Sequence, residues 1–212
     1  MSTKNIIVIG AGFSGLSAAA TLAAAGHKVT VLEKNAIAGG RARKFSAEGY
    51  TFDMGPSWYW MPDIFEDYFA SFGKKVSDYY KLNRISPSYK IYFGPDDEVA
   101  LPTETEEIYK LYESIEPGSS KGLKQFLKES EYKYRIGIGE FVKKPSHSVT
   151  EYMHWKIAAA GIKLNLFSSF GAYTRRFFKS EKINRMLEFP VLFLGGTAKT
   201  TPALYSMMNY SD

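Results

Sequence analysis

From Ile6 to Gly26 the chain runs twenty-one positions without a charge, but the grammar of the run changes midway. Ile6-Ile7-Val8-Ile9 is β-branched and of strand length, which predicts a strand buried on both faces. Residues 13–25 are rich in Ala and Leu and predict a helix, with Gly26 as its stop. Val29-Thr30-Val31-Leu32 then predicts a second strand ending at Glu33. A membrane or secretory segment is the rival reading of this apolar run. Four glycines and the hydroxyls of Ser14, Ser17 and Thr21 dilute it and oppose that reading. Farther along, residues 63–72 predict a helix ending at Gly73. Residues 88–93 alternate at period two, turn through 94–97 and return over 98–101, the pattern of a hairpin. Thr103 and Glu106 have capping-box spacing for a helix reaching about residue 115. Pro117-Gly118-Ser119-Ser120 breaks it, and a longer helix follows to about residue 142, before Pro145. Another helix is expected over 149–166, and a last one from Pro202, which a first turn tolerates.

The join between the first strand and helix is Gly10-Ala11-Gly12-Phe13-Ser14-Gly15. A GxGxxG is weak alone; here strand, glycines, helix, strand and acidic residue occur in the order that dinucleotide binding requires. Gly10 permits a tight turn, Gly12 lets backbone approach a pyrophosphate, and Gly15 lets helix lie close on strand. The helix N-terminus offers free N–H groups to phosphate oxygens. Glu33, eighteen residues past Gly15, suits the adenosine ribose hydroxyls and would repel a 2′-phosphate. Leu16 stands where a P-loop needs Lys, and Ser14-Gly15 lacks the spacing of a nucleophile elbow.

Composition then narrows the chemistry. Of 212 residues, 45% are hydrophobic and 23% charged, which is the make-up of a globular protein. Cysteine is absent, so thiolate catalysis and Cys-based zinc sites are excluded. The net charge of +5 is uneven: residues 1–106 hold 11 basic and 12 acidic side chains, residues 121–185 hold 14 and 5. Eleven aromatics interleave that basic stretch. It reads as a solvated basic face, as contact with an anionic membrane surface, or as a nucleic-acid surface. No RNA- or DNA-binding motif accompanies it, and nucleic acid is not expected. His147, Glu151 and His154 share a helical face if 147–154 is helical. The Glu-x-x-His spacing occurs once where a di-metal bundle needs it twice, so no metal is expected.

Beyond Glu33 lie Lys34, Gly39-Gly40-Arg41, and then Phe52-Asp53-Met54-Gly55-Pro56-Ser57-Trp58-Tyr59-Trp60. With the glycine turn, these segments resemble the flavin-dependent amine oxidase and carotenoid desaturase superfamily. Residues 189–196 (FPVLFLGG) and 201–205 (TPALY) narrow the resemblance to phytoene-desaturase-type carotenoid desaturases. The resemblance implies an α/β chain: a Rossmann-like FAD-binding domain over 1–80 and an α+β, largely helical substrate lobe over 81–212, with incomplete sheets. It implies FAD held at Gly10, Gly12, Phe13, Ser14, Gly15, Glu33, Lys34, Gly40 and Arg41, with Gly55, Pro56, Ser57 and Trp58 beside the isoalloxazine. Asp53 is a candidate catalytic base, and equally a turn-holding carboxylate.

The implied activity is desaturation of a linear carotene, phytoene or a later and hydroxylated one, by hydride transfer to the flavin. The alternatives are another oxidase of the superfamily, such as one acting on amines, and a non-catalytic dinucleotide-binding module. The implied partners are a long apolar polyene and a membrane surface met through residues 121–185. The implied location is the cytoplasmic side, peripheral to the cell membrane. Members of the family are more than twice as long. A chain of this length is therefore expected to be inactive and unable to hold FAD tightly by itself.

Overall fold

The structure is a computed structural model that describes residues 2–55, 58–142, 148 and 164–210. It divides into two compact units, Met1–Lys81 and Leu82–Asp212.

In the first unit, β1 (Asn5–Ile9) pairs in parallel with β2 (Lys28–Leu32), Ile6 opposite Val29 and Val8 opposite Val31. The helix α1 (Phe13–Ala24) makes the crossover that a parallel pair requires. It lies on the Val8 side of the sheet, where a Cβ on Gly15 would be 3.5 Å from Val8 Cγ1. Ile6, Val8, Val29 and Val31 are half-buried, whereas Ile7 and Ile9 are 65% and 87% exposed. The expectation of a strand buried on both faces is therefore corrected. Among the described residues the sheet has two strands, and within this unit one of its faces is exposed.

A hairpin not anticipated from the sequence follows: β3 (Lys44–Ala47) against β4 (Tyr50–Asp53), with Phe45 stacked across from Phe52. Its two-residue turn, Glu48-Gly49, has φ of 52° and 82°, the double positive φ of a type I′ connection. The helix α2 (Pro62–Ala70) opens on Pro62, whose missing N–H costs nothing in a first turn. Its aromatic side packs Phe65 against Phe13 and Tyr59, and Phe69 against Tyr79.

The second unit contains the hydrophobic core. The hairpin of β5 (Tyr89–Gly94) and β6 (Asp97–Leu101) forms as expected, with an irregularity between Tyr92 and Gly94. Among the described residues four α-helices join it: α3 (Thr105–Ile115), α4 (Ser119–Ile136), α5 (Phe170–Thr174) and α6 (Glu181–Glu188). Leu123, Phe126, Phe170, Tyr173, Phe178, Ile183, Leu187 and Ala203 form the buried centre. Phe126 meets the rings of Tyr173, Phe177 and Phe178, so α4 and α5 interlock through aromatic edges. Ser169 and Ser180 cap α5 and α6 through their hydroxyls, and the Glu116 carboxylate accepts from the Lys179 and Ser180 amides.

Three expectations for this unit change, and a fourth lies mostly outside the described residues. The α3 cap is Glu104 rather than Thr103, and its side chain makes no capping bond. The long helix gives way at Gly137 to a π-helical turn, Gly137–Val142, where two glycines weaken the α-helical ladder. Pro202 is extended and precedes a 3₁₀ segment, Ala203–Asn209, because its backbone aligns with Ser169 in a bridge. Most of the helix expected over 149–166 lies outside the described residues, as do His147, Glu151 and His154, while residues 164–167 form a turn.

Candidate functional site

The glycine turn sits where β1 passes into α1. Gly10 has φ +97°, a conformation that L side chains rarely adopt, and its N–H donates to the Leu32 carbonyl at 2.7 Å. That bond fixes the turn to the end of β2. Gly15 is demanded by space: a Cβ there would sit 1.9 Å from the Gly10 carbonyl oxygen. Helix and turn are thus in backbone contact. Gly12 caps α1 in an extended conformation without any side-chain bond, and no acidic residue occupies the first turn. No side chain of its own therefore caps the leading N–H groups of α1.

Glu33 leaves β2 and folds back onto this turn. One of its carboxylate oxygens accepts the Ala11 N–H at 2.7 Å; the other accepts the Asn35 N–H at 2.9 Å and the Asn35 amide at 2.7 Å. These donors, the Ala11 amide foremost, hold the Glu33 carboxyl at a pKa of about 2, so it is ionised at neutral pH. Asn35 was not singled out in the sequence. A short polar residue two positions after a candidate carboxylate, able to bond back to it, was the available signal.

A second glycine turn closes over the first. The Gly39 N–H donates to the Ala11 carbonyl at 2.7 Å, and Gly40 approaches Gly12 so closely that a Cβ on Gly40 would lie 3.0 Å from the Gly12 Cα. Gly55 in turn packs on the Arg41 carbonyl, 2.4 Å from where its Cβ would be. Three sequence-distant segments, at Gly10–Gly15, Gly39–Arg41 and Gly55, are thereby brought together by backbone contact. Arg41 and Lys34 are exposed, as are Phe13 and Ser14. Trp58 is half-buried, while Pro56 and Ser57 lie outside the described residues. Asp53 ends β4 opposite Lys44 and is exposed.

This arrangement can receive an oxygen-rich anion on uncapped helix amides, with a guanidinium within the same cluster of segments and an ionised carboxylate at the neighbouring strand end. The cradle that side chains would fill is kept open by glycine, which fits a dinucleotide.

Known proteins resemble the chain in sequence and in fold. Residues 8–74 match the NAD(P)-binding Rossmann-like domain family. The chain is 38% identical over 213 residues to a carotenoid 3,4-desaturase of Haloarcula japonica, covering 100% of this chain and 43% of that protein. It is 37% identical over 203 residues to the 4,4′-diapophytoene desaturase (4,4′-diaponeurosporene-forming) of Staphylococcus aureus strain Newman, covering 96% of this chain and 40% of the relative. It thus spans about two fifths of the length of these relatives. Among solved structures, a putrescine oxidase superposes with a TM-score of 0.54 at 17% identity, over 97% of this chain and 41% of that one. A fatty acid isomerase from P. acnes does so with 0.52 at 20% identity, over 98% and 42%. At such identities these two speak to the fold alone.

Proposed function

Because the chain is homologous over its whole length to carotenoid desaturases, we propose that its protein is an FAD-dependent oxidoreductase that desaturates a linear carotene. The observation that carries this reading is the stack of three glycine segments on a Rossmann-like turn. A nicotinamide site needs the first of them; the Gly39–Arg41 and Gly55 layers are additional cradle, suited to a longer flavin dinucleotide. The ionised Glu33 disfavours a 2′-phosphate, which argues against NADP.

In this reading Gly10, Gly12, Phe13, Ser14 and Gly15 line the pyrophosphate, with α1 amides donating to it. Glu33 accepts from ribose hydroxyls while Asn35 and Ala11 fix its orientation. Lys34 and Arg41 supply positive charge, and Gly55, Pro56, Ser57 and Trp58 border the ring. Bound FAD supplies a hydride acceptor. The chain's own part is to hold the substrate in register and keep water out. Asp53 is the candidate base for the accompanying proton.

The finer partners are also proposed: a polyene as substrate, and an anionic membrane surface on the cytoplasmic side as the place it is met. Lys121, Lys124 and Lys128 support the latter, since they share an exposed face of α4. Arg175 and Lys182 are used internally instead: Arg175 pairs with Glu181 and Glu188, and Lys182 with Asp97. No described helix is long and apolar enough to cross a membrane.

The test is anaerobic mixing of the purified, flavin-loaded protein with a linear carotene and, separately, with a primary amine. Bleaching of the flavin by the carotene alone is expected. Bleaching by the amine alone would favour the amine-oxidase alternative, and a protein without flavin absorbance would favour a nicotinamide-binding module. Asp53→Asn is expected to slow the carotene-driven bleaching while leaving flavin content unchanged.

A further inference from the structure

The acceptor capacity of Glu33 is nearly filled by the chain itself. An ionised carboxylate offers about four lone-pair positions, two on each oxygen. Glu33 Oε1 takes both donors of Asn35, the backbone N–H at 2.9 Å and the side-chain Nδ2 at 2.7 Å. Glu33 Oε2 takes the Ala11 N–H at 2.7 Å. Oε1 is therefore full, and about one position stays open, on the oxygen that Ala11 shares. A ribose presents two neighbouring hydroxyls, both able to donate.

The three donors differ in their freedom to leave. Ala11 is pinned from both sides: the Gly10 N–H before it donates to the Leu32 carbonyl, and its own carbonyl accepts the Gly39 N–H. The Asn35 N–H is a backbone group two residues from the carboxylate it bonds. Only the Asn35 side chain could swing away. Withdrawing it would leave a half-buried amide in need of another acceptor, at a cost comparable to the return from one new bond. Its bond to Glu33 is also local in the chain and forms without the loss of translational freedom that a ligand suffers.

We propose that Asn35 is a specificity-determining residue: by occupying one oxygen of Glu33 it limits the carboxylate to a single hydroxyl of the adenosine ribose and leaves the second hydroxyl to solvent. The inference rests on the dinucleotide reading of the glycine turn and narrows it. The same three donors keep Glu33 ionised, so the carboxylate acts as an acceptor alone and cannot answer the second hydroxyl by donating to it.

The experiment is equilibrium binding of ADP, 2′-deoxy-ADP and 3′-deoxy-ADP to the purified protein, wild type and Asn35→Ala. In the wild type one deoxy analogue is expected to bind at least ~10-fold more weakly than ADP and the other within ~3-fold, because one charge-assisted bond is at stake for one hydroxyl only. Asn35→Ala opens a second position on Glu33 and is expected to make the two losses alike, a change in selectivity that a purely structural role for Asn35 would not produce. Equal losses for the two analogues in the wild type, or selectivity unchanged in Asn35→Ala, would overturn the proposal and leave the dinucleotide reading standing. Failure of ADP to bind the wild type would overturn that reading and the proposal with it. The wild-type comparison holds whether or not the variant folds.

Discussion

The two units use apolar side chains in opposite ways. In Leu82–Asp212 the large apolar residues converge: Phe126, Phe170, Tyr173, Phe178 and Ile183 are almost fully buried. In Met1–Lys81 only Ala11 and Ala19 are buried apolar residues among those described, while Ile7, Ile9, Phe13, Leu32, Phe45 and Phe52 are exposed. The first unit is therefore organised by backbone, through glycine contacts, a parallel strand pair and the Glu33 carboxylate. The second is organised by a packed core. Precision at a dinucleotide turn and burial of a core are separable achievements, and this chain places them in different units.

That contrast can be broken or sharpened by substitution. The largest effect is expected for Phe126→Ala, which deletes the ring joining α4 to α5. It should destabilise the second unit by about 3–5 kcal/mol, read by chemical denaturation. A loss below ~1 kcal/mol would mean that the core is not where the second unit's stability resides. Next comes Gly15→Ala, whose methyl would collide with the Gly10 carbonyl. Overpacking of this kind costs about 1–3 kcal/mol and should displace α1 and abolish dinucleotide binding, while the second unit's unfolding is unchanged. Binding at the wild-type level would remove the close-approach argument.

A third test concerns Lys133, which is 1% exposed and donates to the Ser206 hydroxyl and the Ala203 carbonyl over the Tyr173 ring. Burial lowers its pKa from the ordinary 10.5 to about 8, with Arg176 adding to the shift and Glu129 opposing it. Between those values the unfolded chain keeps a proton that the folded chain has released. The second unit should therefore gain stability as pH rises from about 8 to 10.5. Lys133→Met should flatten that rise, read by chemical denaturation across the same pH range. The smallest effect is expected for Ile9→Asn, within about 0.5 kcal/mol for a side chain open to solvent. A loss above ~2 kcal/mol would show that this strand face is covered in the protein as it exists.

The local geometry of the candidate site was more legible in the sequence than the fold around it. Gly10, Gly15 and Glu33 could be assigned from spacing because each answers a single local demand: a positive φ, a close approach, a carboxylate at a strand end. The Gly40 and Gly55 contacts join segments distant in sequence, and only resemblance linked them to the turn beforehand. Ile7 and Ile9 misled because β-branched runs report what a strand is fit to bury, not what is there to cover it. The β3–β4 hairpin was missed although Glu48-Gly49 between alternating residues was a readable turn. The helices α5 and α6 were missed because short helices held by tertiary packing leave little periodicity to read. Pro202 followed a weak local preference that its bridge to Ser169 overrode.

The most direct test of the account is a comparison of dinucleotide ligands on one protein. Equilibrium binding of FAD, FMN and ADP is measured for the wild type and for Glu33→Gln. If the Gly10–Gly15 turn and Glu33 hold an adenosine diphosphate end, FAD and ADP compete, FMN binds at least ~10-fold more weakly, and Glu33→Gln weakens FAD and ADP together by a similar factor. Equal binding of FMN and FAD, or an FAD affinity untouched by Glu33→Gln, would contradict it.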